Sequence, residues 1–97
     1  ERLLDGWAKQ GWTEPFVVSD HKVIPVEMDV DFPEKVGLDR LLSAFAANAQ
    51  RPADRAAIVI DSGTATTVNY ISATGVFCGG AILPGLEMSA KALNHYT

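Results

Sequence analysis

The chain has 97 residues, of which 47% are hydrophobic and 21% charged, a composition typical of a folded chain and incompatible with intrinsic disorder. Its formal net charge is −4 and Lys and Arg form no basic cluster, so we expect no nucleic-acid partner. No apolar run approaches the roughly 18 residues of a membrane span, so we expect no membrane partner. The single cysteine, Cys78, excludes an internal disulfide and fits a reducing cytoplasm.

The first third of the chain predicts one helix and two extended segments. Residues 2–10 place apolar side chains on one helical face, and residues 16–18 indicate a short buried strand. Apolar residues then alternate with Glu27, Asp29 and Asp31, which is the period of a half-buried strand. We interpret these three acids as a solvated strand face and not as a metal cluster.

The clearest helical pattern follows Gly37. One apolar stripe recurs with helical spacing and comprises Leu38, Leu41, Leu42, Phe45, Ala46 and Ala49. Asp39 and Arg40 fall in the first turn of this helix. There are two interpretations of Asp39. In the first, its carboxylate simply complements the positive end of the helix dipole. In the second, it acts with Arg40 as a general base and anion-binding pair. The residues alone leave both interpretations open.

An apolar run at residues 56–60 predicts a core strand buried on both faces, with Asp61 at its carboxyl end. Ser62 and Gly63 then predict a tight turn, and the hydroxyl groups of Thr64, Thr66 and Thr67 follow. These residue types suit a site in which an acid holds a cation and a turn rich in donors holds phosphate. They also suit a simple hairpin turn followed by a Thr-rich strand.

The remaining sequence predicts a meander and a helix. Residues 64–72 and 76–78 read as strands separated by a turn, and Gly79 and Gly80 indicate a bulge or a close approach of the backbone to a ligand or a packed helix. Residues 86–96 have helical periodicity.

Three motifs occur in a specific order along this chain: residues 31–41 (DFPEKVGLDRL), 61–67 (DSGTATT) and 79–85 (GGAILPG). Together they resemble the middle portion of the type III pantothenate kinases, relatives of actin, hexokinase and the heat-shock chaperone ATPases. The resemblance implies an α/β fragment of a two-domain ribonuclease-H-like fold, with a β-meander flanked by helices. Residues 1–35 would end the first ATPase-like subdomain. Residues 36–97 would form the linking helix and the start of the second, incomplete at both ends.

The resemblance also implies a function, which is cytoplasmic ATP-dependent phosphorylation of pantothenate, the first step of coenzyme A biosynthesis. Asp39 would be the general base, and the residues from Gly37 through Leu38 and Asp39 to Arg40 would bind pantothenate. Gly63 and Thr64 would bind ATP, which is expected to carry Mg²⁺, and Asp61 would coordinate a monovalent cation, K⁺ or NH₄⁺.

Departures from the family pattern define further expectations. Val30 stands where many members have a substrate-contacting Tyr, and Phe32 where many have Asn. Two other family motifs have no counterpart here, so we expect a truncated chain with little activity by itself. The family forms homodimers, for which the helices beginning near Leu38 and Leu86 are candidate interfaces. A non-catalytic regulatory protein on the same fold, resembling a transcriptional activator, is the alternative, and it would not need Asp39.

Overall fold

The computed structural model describes residues 2–97. Within this range it contains three α-helices, two short 3₁₀ turns (His21–Val23 and Pro33–Lys35) and one three-stranded sheet. The helices and strands follow the order α1 (Arg2–Lys9), α2 (Leu38–Gln50), β1 (Ala57–Ser62), β2 (Ala65–Ile71), β3 (Phe77–Pro84) and α3 (Leu86–Tyr96). The chain is therefore a small α/β unit, as expected. None of the helices that the structure describes is long and apolar enough to span a bilayer.

The sheet is an antiparallel meander with the strand order β1-β2-β3. Its first hairpin pairs Ala57 with Ile71 at one end and Ser62 with Thr66 at the other, so Gly63 and Thr64 form the connecting turn. Directly paired residues point to the same face of a sheet. This register therefore decides which side chains of β1 and β2 lie beneath α2.

The hydrophobic core lies between α2 and one face of the sheet. Leu41 and Ala44 of α2 are buried against Ile71 and Phe77, and Ile24 closes the cluster. These apolar contacts hold the amino-terminal turn of α2 above the middle strand.

The expectation that the first core strand is buried on both faces was wrong. β1 is an edge strand, and Ile58 and Ile60 are 59% and 66% exposed on the face turned away from α2. Only one face of β1 has a helix packed against it in the part of the chain described. Asp61 also lies within β1, paired with Thr67, and does not follow the strand.

The predicted strand at residues 16–18 was also wrong. The backbone there has no regular structure, and Phe16 is 80% exposed, because no strand within residues 2–97 lies alongside it to supply hydrogen-bond partners. The alternating segment after it is extended as expected, with half-buried Val26, Met28 and Val30. It pairs with β3 through a single parallel bridge between Met28 and Phe77.

The apolar stripe of α2 is only partly used for packing. The side of the helix that carries Leu41 and Ala44 is buried, whereas Leu42 and Phe45 remain 45% and 46% exposed. A helix contacts a sheet along a narrow row of its side chains. The apolar stripe of α2 is wider than this row, so part of the stripe stays exposed.

The paired glycines of β3 mark both a bulge and a close backbone approach, and the approach is to β2 and not to a ligand or a packed helix as expected. The pairing register shifts between Asn69 and Ile71, and Gly79 has a φ of 89°, which marks a bulge. A Cβ atom on Gly80 would lie 1.8 Å from the carbonyl oxygen of Val68, so β2 and β3 approach closely only because position 80 has no side chain. The prediction that the third strand ends at residue 78 was wrong, because β3 continues through both glycines to Pro84.

Candidate functional site

The amino-terminal turn of α2 presents Asp39 to solvent. Gly37 is the N-cap residue, and its carbonyl oxygen accepts hydrogen bonds from the amides of Arg40 and Leu41 at 3.2 and 3.3 Å. The Asp39 carboxylate folds back towards the N-cap, since its Oδ1 would lie 2.7 Å from a Cβ atom on Gly37. Asp39 is thus an exposed carboxylate at the positive end of a helix, where negative charge is favoured.

Arg40 is directed from the same turn towards the sheet. Its Nε donates a hydrogen bond to Oδ1 of Asn69 at 2.8 Å, and its Nη2 donates to the same oxygen. The guanidinium carbon lies 5.6 Å from the ring centroid of Phe77, within cation–π range. Adjacent residues of one helical turn therefore have different environments, one carboxylate in solvent and one guanidinium held against the sheet.

Sequence analysis did not single out Asn69. Asn69 is 1% exposed and lies in the middle of β2. One feature of the sequence could have indicated Asn69. It is the lone amide side chain in a strand of otherwise apolar and β-branched residues, where a polar group needs a specific partner.

Asp61 lies on the same face of the sheet as Asn69. Val59 pairs with Asn69, and Asp61 pairs with Thr67. Asp61 is two residues after Val59 in β1, and Thr67 is two residues before Asn69 in β2. Because alternate residues of a strand point to the same face, Asp61 faces the side that carries α2 and the Arg40 guanidinium. Asp61 is exposed near the end of β1, so its carboxylate is accessible on that side.

Gly63 and Thr64 line a cavity of about 360 Å³, whose other walls are Glu87, Met88 and Lys91 of α3. The amide of Gly85, the N-cap residue of α3, donates a hydrogen bond to the carbonyl oxygen of Thr64 at 3.0 Å. The hairpin turn and the first turns of α3 therefore form one wall each of this cavity.

Lys91 and Glu87 bring an ion pair to the wall of this cavity. The Lys91 Nζ lies 3.1 Å from Oε1 of Glu87, one helical turn earlier, and both side chains are mostly exposed. A lysine on an amphipathic helix is usually only solvated. The position of Lys91 beside the Gly63–Thr64 turn depends on how α3 packs and could not be read from the sequence.

Leu38, which is predicted to bind substrate, lies close to the core, as does one of the two residues that depart from the family pattern, Val30 and Phe32. The Leu38 side chain packs against the hydrophobic core, which leaves its backbone at the first turn of α2 as the part available to a ligand. Val30 also packs against the core and would lie 3.5 Å from a Cβ atom on Gly79. Phe32 is 58% exposed, with the Lys35 ammonium 4.8 Å from its ring centroid.

The described residues offer different ligands to the two expected cations, the monovalent ion and Mg²⁺. Residues 2–97 contain no group of three or more His, Cys, Asp or Glu side chains that could hold a metal ion. Asp61 offers one carboxylate beside a turn, which suits a weakly held hard cation. A Mg²⁺ ion would need most of its ligands from phosphate oxygens and water, and this is how Mg²⁺ is usually bound with nucleotides.

Comparison with known proteins gives the family of the chain. The family model of type III pantothenate kinase matches residues 1–97. Three relatives named type III pantothenate kinase are similar to this chain. The one from Rhodopirellula baltica is 55% identical over 73 residues, which is 75% of this chain and 26% of the relative. Those from Paramagnetospirillum magneticum and Maricaulis maris are 46% and 45% identical over 82 residues, which is 84% of this chain and 31% of each relative.

The fold, the three motifs and these matches agree, and the chain belongs to the type III pantothenate kinase family. It spans between about a quarter and a third of the length of the curated relatives that it matches. The resemblance inferred from the sequence is therefore confirmed.

Proposed function

We propose that this chain contributes to ATP-dependent phosphorylation of pantothenate within a full-length type III pantothenate kinase. The observation that carries the proposal is the shared sheet face of Asp61 and the Asn69–Arg40 contact, which brings the start of α2 to the side that carries Asp61. The Gly63–Thr64 turn follows directly from β1. A common sheet face for the candidate substrate and cation groups, with the candidate phosphate turn next in the chain, supports this proposal.

Asp39 is the proposed general base. Its exposed carboxylate has no basic side chain within ion-pair distance among residues 2–97, so its oxygens are free to accept a proton. In the proposed reaction the pantothenate hydroxyl oxygen attacks the γ-phosphorus of ATP, its proton passes to Asp39, and the bond from phosphorus to the ADP oxygen breaks. Such transfer relies mainly on positioning and on neutralising charge, and one carboxylate suffices as the base.

The turn after β1 is the proposed ATP phosphate site. The Thr64 hydroxyl at the cavity wall is a suitable donor to phosphate oxygens, and the amino terminus of α3 adds a favourable dipole. Mg²⁺ bound to ATP and a K⁺ or NH₄⁺ ion at Asp61 would neutralise negative charge on the triphosphate.

The larger assembly is also a proposal. We assign residues 1–35 to the end of a first subdomain and residues 36–97 to the linking helix and the start of a second, within a two-domain ATPase fold in a cytoplasmic enzyme. The exposed flank of α2, defined by Leu42, Phe45, Ala46 and Ala49, supports a homodimer interface, because exposed apolar patches of this kind are usually covered by a partner.

The decisive experiment measures pantothenate-dependent ADP release by a full-length kinase that carries this segment. Asp39→Asn should lower kcat by about 10²–10⁴-fold, the usual contribution of a general base, while ATP affinity measured by calorimetry stays unchanged. Asp54→Asn, in the exposed loop after α2, is the matched control and should retain activity. Activity that does not depend on pantothenate, or that is indifferent to Asp39→Asn, would contradict the proposal. The absence of any pantothenate-dependent ADP release would favour a non-catalytic regulatory protein.

A further inference from the structure

Asn69 is a buried polar side chain to which the proposed mechanism assigns no chemical role. It is the sole polar or charged residue among residues 2–97 that is almost completely buried, at 1% exposure. It pairs with Val59 on one side and with Gly80 on the other, so the close approach of β3 leaves its backbone little freedom to move. A polar group at such a position needs a partner that repays its removal from water.

That partner is Arg40. Two guanidinium nitrogens, Nε and Nη2, donate to the single oxygen Oδ1 of Asn69, and the Phe77 ring flanks the group. One edge of the guanidinium is thereby fixed. Nη1 has no partner in the described part of the chain, so the opposite edge, formed by Nη1 and Nη2, remains available for a second acceptor.

The charge of Arg40 is not compensated locally. Within residues 2–97 no carboxylate lies within 4.0 Å of its guanidinium nitrogens. Asn69 supplies an oxygen without a negative charge, so Arg40 is oriented and still carries its full positive charge. An oriented guanidinium with a free edge is the group that binds a carboxylate with two parallel hydrogen bonds.

The asparagine side chain at position 69 leaves one buried hydrogen-bond donor without a partner. Nδ2 of Asn69 is buried and has no hydrogen-bond partner in the described structure. An aspartate could offer Arg40 the same oxygen without leaving a donor unpaired, but it would pair with the guanidinium and reduce its attraction for an anion. The distinctive property of asparagine at position 69 is therefore its neutrality.

We propose that Asn69 is a positioning residue that orients Arg40 without neutralising it, so that the free edge of the guanidinium selects a substrate with a carboxylate. The inference rests on the proposed function, in which Arg40 binds pantothenate. It adds that selectivity for the acid over an uncharged analogue depends on residue 69.

The test uses a full-length kinase carrying this segment and two substrates, pantothenate and its neutral carboxamide analogue. Asn69→Asp keeps the shape and adds a charge, and Asn69→Leu removes the acceptor at similar volume. Both variants should raise KM for pantothenate about tenfold, with kcat within about twofold and KM for the carboxamide unchanged. Asn94→Asp, which adds the same charge on an exposed face of α3, is the control and should change neither KM.

A purely structural role gives a different result. Variants that lower the melting temperature but leave the ratio of the two KM values unchanged would overturn the inference while the proposed function stands. If the unmodified enzyme does not phosphorylate pantothenate, the proposed function fails. The positioning role is then decided by hydrogen exchange at Arg40 Nε, which should be slow in the unmodified protein and fast in Asn69→Leu; equal rates would overturn it.

Discussion

The amide of Gly85 donates a hydrogen bond to the carbonyl oxygen of Thr64 at 3.0 Å, and this contact joins the β1–β2 turn to the start of α3. A Cβ atom on Gly85 would lie 2.2 Å from that oxygen and 2.3 Å from the carbonyl oxygen of Gly63. The turn and the helix therefore meet only because residue 85 has no side chain. The cavity lined by Gly63 and Thr64 depends on this close packing of two backbones.

Gly85→Ala should therefore separate the turn from α3. The clash is with backbone atoms, which cannot rotate away, so we expect a loss of about 1–3 kcal/mol in the free energy of unfolding and a weaker affinity for ATP. Chemical denaturation and calorimetric titration of a full-length kinase carrying this segment would measure the two effects.

Gly6→Ala is the matched control, because a Cβ atom on Gly6 in α1 meets no atom within 4 Å. It should leave ATP affinity unchanged and stabilise α1 slightly, since alanine is the better helix former. Equal effects of the two substitutions on ATP binding would show that the turn does not need Gly85.

Arg51 should be important for stability and not for chemistry. Its Nη1 donates to the Ala73 carbonyl oxygen at 2.8 Å and its Nε to Asn48 Oδ1 at 2.8 Å, while Asn48 Nδ2 donates to the Gly75 carbonyl oxygen at 2.9 Å. These bonds tie the end of α2 to the β2–β3 turn. Arg51→Ala should lower the free energy of unfolding by about 1–3 kcal/mol, as hydrogen bonds to charged groups contribute on this scale.

The measurement is urea denaturation together with kcat at a temperature at which both proteins stay folded. Arg55→Ala is the control, because Arg55 is exposed in the same loop and its side chain makes no hydrogen bond in the described structure. A large loss of kcat without a loss of stability in Arg51→Ala would contradict this assignment.

Asp61→Asn should change the response to monovalent cations. Removing the carboxylate charge should raise the K⁺ concentration for half-maximal activity by about tenfold, which corresponds to ~1.4 kcal/mol. The assay varies K⁺ at constant ionic strength, so that general screening does not contribute. Asp54→Asn serves as the control of equal charge, and an unchanged K⁺ dependence in Asp61→Asn would remove Asp61 from the cation site.

Phe45→Glu should weaken self-association. Phe45 is 46% exposed on the flank of α2 that does not contact the sheet, so a charge there would be buried without a partner in a dimer. Sedimentation velocity over a range of concentrations should show a dimer for the unmodified protein and a monomer for the variant. Phe16→Glu, at a more exposed phenylalanine outside α2, should leave the dimer intact.

The local features of this chain were readable from the sequence. Helical periodicity predicted α2 and α3 to within a residue or so at each end, and the glycine pair predicted the bulge in β3. The three ordered motifs indicated the family, which the comparisons confirmed. The roles assigned to Asp39, Asp61 and Thr64 remain predictions.

The sequence by itself determined the positions of α2, α3 and the bulge in β3, because periodicity and glycine chemistry depend on neighbours only a few positions apart. Only the tertiary structure decided that β1 is covered on one face, that α2 keeps an apolar flank exposed, and that Arg40 meets Asn69, 29 residues later. Those outcomes depend on the register of the sheet and on the docking of one helix. Both are set by many distant contacts acting together, and no short stretch of sequence contains them.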